Sequence, residues 1–143
     1  MRLLASRSAA DAAPWCRSRV GCSCACAAAD GVLLVTPEYN RTVPGVLVNA
    51  LDWGSRPWGQ SVWENKPAGC CGAATGAIGT AAAQLALKAQ MVTLGMVVMG
   101  HPEFYLKFEF EKFAEDGTVT DESLRGFLKT YADALAAHIE RLS

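Results

Sequence analysis

Gly31-Val32-Leu33-Leu34-Val35-Thr36-Pro37-Glu38-Tyr39-Asn40 is the stretch from which the rest of the chain is read. Gly31 to Thr36 is apolar without alternation, the pattern of a strand covered on both faces inside a parallel sheet. Pro37 ends its ladder, because proline has no amide hydrogen to donate. Pro44-Gly45 then opens a helix, with Pro44 at an early position that tolerates it. Val43, Leu47, Ala50 and Leu51 supply the buried stripe of that helix. An aromatic-rich irregular segment follows, with Trp53, Arg56-Pro57-Trp58 and Trp63.

The pattern repeats downstream. Lys66-Pro67 leads into a short strand, Ala68 to Gly72, and the turn Gly72-Ala73-Ala74-Thr75-Gly76-Ala77-Ile78-Gly79 opens a helix running from about Gly79 to Thr93. That helix carries two apolar stripes. Ala82, Leu85, Ala89 and Val92 lie on one side and Leu87, Met91 and Leu94 on the other, which makes the second face a candidate subunit contact. Gly95 to Gly100 reads as a third buried strand. Phe104 to Phe110 alternates as a half-exposed extended segment, with Leu106, Phe108 and Phe110 opposed by Lys107 and Glu109. Asp116-Gly117 turns the chain, and Thr120 is placed to cap a last helix striped by Leu124, Leu128, Tyr131, Leu135, Ile139 and Leu142. Strand and helix therefore alternate, and the expected fold is α/β with a parallel sheet and right-handed crossovers. Open sheets of this kind bind ligands beyond the carboxyl ends of their strands. Pro37 to Asn40 and Gly72 to Gly76 both fall there.

Composition narrows the classes. With 143 residues the chain is sized for one domain, and 13 basic against 14 acidic residues give a formal net charge of −1. Such a balance recruits neither nucleic acid nor an anionic membrane. Lys107 and Lys112 interleave with Glu109 and Glu111 as a solvated face. No apolar run reaches the length of about 20 residues that a membrane span needs. Of the six cysteines, Cys70 and Cys71 lie in a strand-like run, and Cys22-x-Cys24-x-Cys26 is spaced too tightly for the usual zinc pattern. No metal site is expected, and a reduced cytoplasmic setting is. Residues 1–30, rich in Ala, Arg and Cys, read as a leader distinct from a domain over 31–143, with an organelle-targeting composition as one reading and an Ala-rich helix as another. Ala27-Ala28-Ala29 is placed to close a helix docked beside the first strand.

Val32-Leu33-Leu34-Val35-Thr36-Pro37-Glu38-Tyr39-Asn40, followed by Pro44-Gly45-Val46-Leu47, Asn49-Ala50-Leu51-Asp52-Trp53 and Ser55-Arg56-Pro57, resembles the NAD(P)H-dependent FMN reductase family. Gly76-Ala77-Ile78-Gly79 and Asp116 to Ser123 look like it too. The family has a flavodoxin-like fold and includes quinone and chromate reductases. The resemblance implies FMN and NAD(P)H as cofactors, with hydride passing through flavin N5 to a quinone, free flavin or chromate-like acceptor. It implies an FMN site at Pro37, Glu38, Tyr39 and Asn40, with amides facing the ring edge and Tyr39 as an aromatic wall. Gly72, Ala73, Ala74, Thr75 and Gly76 would approach the pyrimidine side, and family members often have a hydroxyl residue where Ala73 stands. Arg56 would meet the nicotinamide phosphate or a neighbouring subunit, and a homodimer or homotetramer is implied. The cofactor carries the chemistry, so no catalytic side chain is expected and Glu38 is read as structural. His101 and His138 have no partners in the sequence that would make them bases or ligands.

Family members begin with a strand running into a Gly-Ser-Leu-Arg-type loop that holds the FMN phosphate. No such loop precedes Gly31 in this chain. The expected fold is accordingly a flavodoxin-like sheet missing its first one or two strands, with Gly31 to Thr36 at an edge. The alternative reading is a truncated, catalytically silent flavodoxin-like module without bound FMN.

Overall fold

The structure, a computed structural model, describes residues 21–143, with side chains from Ala25 onward. Cys16 and the leader arginines lie outside the described residues, as do the side chains of Cys22 and Cys24. The order is α1 (Gly21–Ala28), β1 (Val32–Val35), α2 (Gly45–Gly54), β2 (Pro67–Ala74), α3 (Ala81–Thr93), β3 (Val97–Val98), β4 (Tyr105–Lys107), a single 3-10 turn (Phe110–Lys112) and α4 (Glu122–Glu140). Every strand pairing is parallel, as expected.

The unbroken apolar run of β1 has a direct cause. Val32 and Leu34, with Ala68 and Cys70 of β2, pack on one face against Cys26, Leu51, Leu87 and Met91 from the first three helices. Leu33 and Cys71 point the other way, into Leu124, Tyr131 and Leu135 of α4. Successive side chains alternate between two covered faces, so both must be apolar. Residues expected to belong to a leader form part of this core. Cys26 and Ala29 are buried, and the Lys66 ammonium donates to the carbonyls of Ala27 (3.2 Å) and Ala29 just past the end of α1. Burial holds the Lys66 amine below its usual range.

Several expected boundaries shift for identifiable reasons. Pro44 is the N-cap of α2 rather than a helical residue. Gly72 to Ala74, expected in a turn, continue β2 because β4 pairs with them. The 104–110 segment is thus a sheet strand over Tyr105 to Lys107, and its alternation stops at Phe108, leaving Phe110 78% exposed. Asp121, not Thr120, caps α4, its Oδ1 accepting from Leu124 N at 2.7 Å. Leu87 and Met91 of α3 are fully buried in the core, so the stripe left free for a subunit contact is the other one, where Leu85, Ala89 and Val92 are exposed.

The sheet order is β1-β2-β3, with β4 also on β2, so β1 has no strand on its outer side among the described residues. The far edge of β2 is shared. The carbonyls of Lys66 and Ala68 accept from Val97 N and Met99 N, and that of Ala74 accepts from Phe108 N. Cys70 O falls in the gap between β3 and β4. Tyr131 of α4 fills that gap, its hydroxyl donating to Cys70 O at 2.7 Å. His138, also on α4, bonds through Nε2 to Val97 O at 2.8 Å while Arg141 meets its Nδ1, so its role is to join helix and strand.

Burial pushes the Cys70 and Cys71 thiols up from 9.0 to about 11, and Tyr131 upward as well. The folded state therefore binds protons more tightly than the unfolded chain, and the stability this contributes is intact below pH 9 and lost as pH rises toward 11. Urea unfolding midpoints are expected to fall between pH 9 and 11. A flat profile there would contradict the burial of both thiols.

Candidate functional site

The first corner begins where β1 ends. Thr36 N still reaches Cys71 O at 3.0 Å, and the Thr36 hydroxyl donates to Pro37 O at 2.7 Å. The chain then crosses the face of β2 at Gly72. A Cβ built on Gly72 would collide with Thr36 O and crowd Thr80 Oγ1, so only glycine permits this crossing.

Beyond Pro37 the chain folds back in a two-residue turn. Tyr39 and Thr42 exchange both backbone bonds, at 3.1 and 3.0 Å, around Asn40 (φ 52°) and Arg41 (φ 64°). Paired positive φ values are the mark of a type I′ turn, which asparagine accepts readily. This amends the expectation for the corner's amides. Pro37 has none and Tyr39 gives its own to Thr42 O, so the amides of Glu38 and Asn40 are left without an acceptor among the described residues. Tyr39 is 61% exposed, as a wall open to a ligand must be.

The second corner follows β2. The even-numbered carbonyls of β2 turn toward β3 and β4, whereas Cys71 O turns toward β1. By that alternation the backbone groups of Ala73 also turn toward β1. There β1 has already left the sheet, and no bond joins Pro37 to Asn40 with Ala73 to Gly76 among the described residues. A strip of free backbone donors and acceptors therefore borders the gap between the corners. Thr75 and Gly76 are exposed, and the turn closes with Gly79 N donating to Gly76 O at 3.0 Å. Gly79, at φ 58°, lies against the Leu106 backbone.

Two groups that the sequence did not advertise brace the corners. Glu38 Oε2 accepts from Ala83 N of α3 at 3.1 Å. Gln84, fully buried, donates to Thr80 Oγ1 (2.6 Å) and to Phe104 O (2.7 Å), tying α3 to the segment before β4. An apolar cavity of about 310 Å³ adjoins the outer side of the first corner, lined by Val35, Pro37, Tyr39, Pro44, Leu47 and Ala50. Its volume is at the lower end of the range for small-molecule sites.

Arg56 is not brought to these corners within one chain. It follows the C-terminus of α2, whose ten residues carry the chain about 15 Å from Pro44. Its neighbours there lead back to the start of β2, and its side chain is exposed. Among the described residues no group of His, Cys, Asp or Glu could hold a metal. His101 is exposed.

The sequence model of the family described as NADPH-dependent FMN reductase matches residues 22–111. The chain belongs to that family. A 2-hydroxy-1,4-benzoquinone reductase from Burkholderia sp is 50% identical over 111 residues, covering 78% of this chain and 61% of the relative. A quinone reductase from Pseudomonas putida is 44% identical over 111 residues, covering 78% and 59%. The chain thus spans about three fifths of the length of these relatives. Among solved structures, FerB, a flavoenzyme NAD(P)H:(acceptor) oxidoreductase from Paracoccus denitrificans, superposes with a TM-score of 0.82 at 41% identity, covering 89% of this chain and 71% of FerB. The flavodoxin-like fold expected from the sequence is therefore the observed one. Nothing in these likenesses favours the catalytically silent alternative. The chain is α/β, and no helix among its described residues is long and apolar enough to cross a membrane.

Proposed function

We propose that this chain is the flavin-ring-binding part of an NAD(P)H-dependent oxidoreductase that reduces a quinone. The observation that carries this reading is the gap between the two corners, bordered by the free amides of Glu38 and Asn40 and the β1-facing backbone of Ala73. A flat heteroaromatic ring presents alternating donors and acceptors along one edge and apolar faces above and below. The corners offer complementary backbone groups, and Pro37 and Tyr39 offer apolar surface, so the residues present fit the ring of FMN. The bound flavin would supply the hydride relay, taking hydride from NAD(P)H and delivering it to the acceptor. The chain's own part is to hold the ring edge at Glu38, Asn40 and Ala73, to let Thr75 and Gly76 approach closely, and to keep water from the ring with Pro37 and Tyr39.

Arg56 is read as a contact for the nicotinamide phosphate from a neighbouring copy, since its own corners are a helix length away. The protein would then work as a homodimer or homotetramer. The exposed stripe Leu85, Ala89 and Val92 supports that reading, as does a second cavity of about 310 Å³ between α2 and α3, where Val48, Leu51, Ala89 and Leu94 are joined by the polar Asp52, Gln90 and Thr93. Leu85→Glu is expected to shift the mass seen by light scattering toward the monomer while leaving circular dichroism unchanged. An unaltered mass would count against this face. A reducing cytoplasm suits the buried Cys70 and Cys71 thiols.

One spectroscopic experiment tests the activity. The purified chain is mixed with FMN, the bound flavin spectrum is recorded, and NAD(P)H and then a benzoquinone are added. Bleaching by NAD(P)H and recovery with quinone are expected, and a bound flavin that neither donor bleaches would contradict the reading.

A further inference from the structure

Helix α3 begins without a cap of its own. Thr80 occupies the N-cap position, yet its side chain bonds no backbone amide of the helix, its Oγ1 being engaged by Gln84 Nε2. The first turn also contains no acidic residue. The free amides at a helix start are ordinarily met by a local Ser, Thr, Asn or Asp, and a negative charge there is favoured by the helix dipole. Here the acceptor comes from the other corner. Glu38, 45 residues earlier, reaches across to Ala83 N, and its side chain is only 7% exposed. Its second oxygen faces Arg41 at 3.3 Å, but that guanidinium is 72% exposed, so this ion pair is a weak surface contact.

We infer that Glu38 is a positioning residue that sets the width of the crevice between the two corners by capping α3. The reason is geometric. The first corner is fixed to β1, and α3 continues directly from the second corner through Gly79 and Thr80. With the Thr36–Cys71 rung holding the base of the crevice, this carboxylate fixes how far Glu38 and Asn40 stand from its mouth at Gly76 and the start of α3. A glutamate has the reach to span this gap, and its own amide stays free to face the crevice. The consequence for flavin rests on the function proposed above, whereas the cap on Ala83 does not.

The test combines amide hydrogen exchange at Ala83 with riboflavin titration, at a temperature where circular dichroism shows each variant folded. Riboflavin shares the ring of FMN and lacks its phosphate, so it reports on the corners alone. Glu38→Ala, and Glu38→Asp with the charge kept but the reach shortened, are expected to accelerate exchange at Ala83 and to weaken riboflavin binding about tenfold. Glu38→Gln keeps an acceptor oxygen at the same reach and stays close to wild type in both readouts. Arg41→Gly, which suits the positive φ and removes only the ion pair, changes neither. Unchanged Ala83 exchange in Glu38→Ala would overturn the cap. Faster exchange with undiminished riboflavin affinity would overturn the positioning role, because a purely structural contact behaves that way. Wild-type protein that binds no riboflavin would contradict the flavin reading instead, and the exchange comparison would still decide whether Glu38 holds α3.

Discussion

Gly72→Ala is expected to destabilise the domain by about 3 kcal/mol or more, at the severe end for a single added methyl group. The position is not a left-handed one, so strained backbone is not the reason. The added Cβ would meet a peptide carbonyl, Thr36 O, rather than the flexible end of a side chain. Thr36 in turn is fully buried and bonded through its amide to Cys71 O, which leaves it no room to retreat without breaking the last rung between β1 and β2. The same displacement would carry Pro37 and Tyr39 away from β2. Loss of stability should therefore be accompanied by loss of flavin binding in whatever fraction remains folded. Gly76→Ala is the matched control: nothing lies within 4 Å of its added methyl, and a change within about 0.5 kcal/mol is expected. Urea unfolding of the two variants checks both. Equal midpoints would mean that the β1 chain does not cross Gly72 as described.

Tyr131→Phe is expected to cost about 2 kcal/mol, although it removes a single oxygen. The split between β3 and β4 leaves Cys70 O without a strand donor, and the Tyr131 hydroxyl supplies the bond at 2.7 Å in a buried site. Deleting it strands a buried carbonyl, which is costlier than the loss of an exposed bond. The phenyl ring keeps its edge contact with Phe104, so the loss is the hydrogen bond rather than packing. Denaturant unfolding should show a lower midpoint with an unchanged slope. A loss below about 0.5 kcal/mol would show that water or a shifted strand satisfies Cys70 O.

What could be read from the sequence follows from what leaves a periodic or local mark. The apolar run Val32 to Val35 and the stripe Leu124, Tyr131 and Leu135 each reflect burial repeating along one element, and the structure buries them as expected apart from half-buried Leu33 and exposed Val35. The two corners were legible because Pro37 and the Gly72 to Gly79 glycines interrupt such runs at the same edge of the sheet. Contacts between distant residues leave no such mark. The Glu38 bond to Ala83, the Tyr131 bond to Cys70 and the Lys66 bonds to Ala27 and Ala29 join residues 37 to 61 positions apart. The continuation of β2 through Ala74 was hidden for a related reason. Gly72, Ala73 and Ala74 have turn-like composition, and only pairing with Tyr105 to Lys107 makes them a strand. The cap of α4 lies one residue past the expected Thr120 because Thr120 and Asp121 are both competent caps and the Asp121 carboxylate is the one that reaches Leu124 N.

In the function proposed, the amides of Glu38 and Asn40 and the backbone of Ala73 meet one flat ring. The most direct measurement is an amide-resolved NMR titration of the isotopically labelled chain with FMN. Saturable shifts are expected at the Glu38, Asn40 and Ala73 amides, with residues of the far end of α4 shifting little. Shifts confined to other surfaces, or bound FMN with these three amides unmoved, would contradict it.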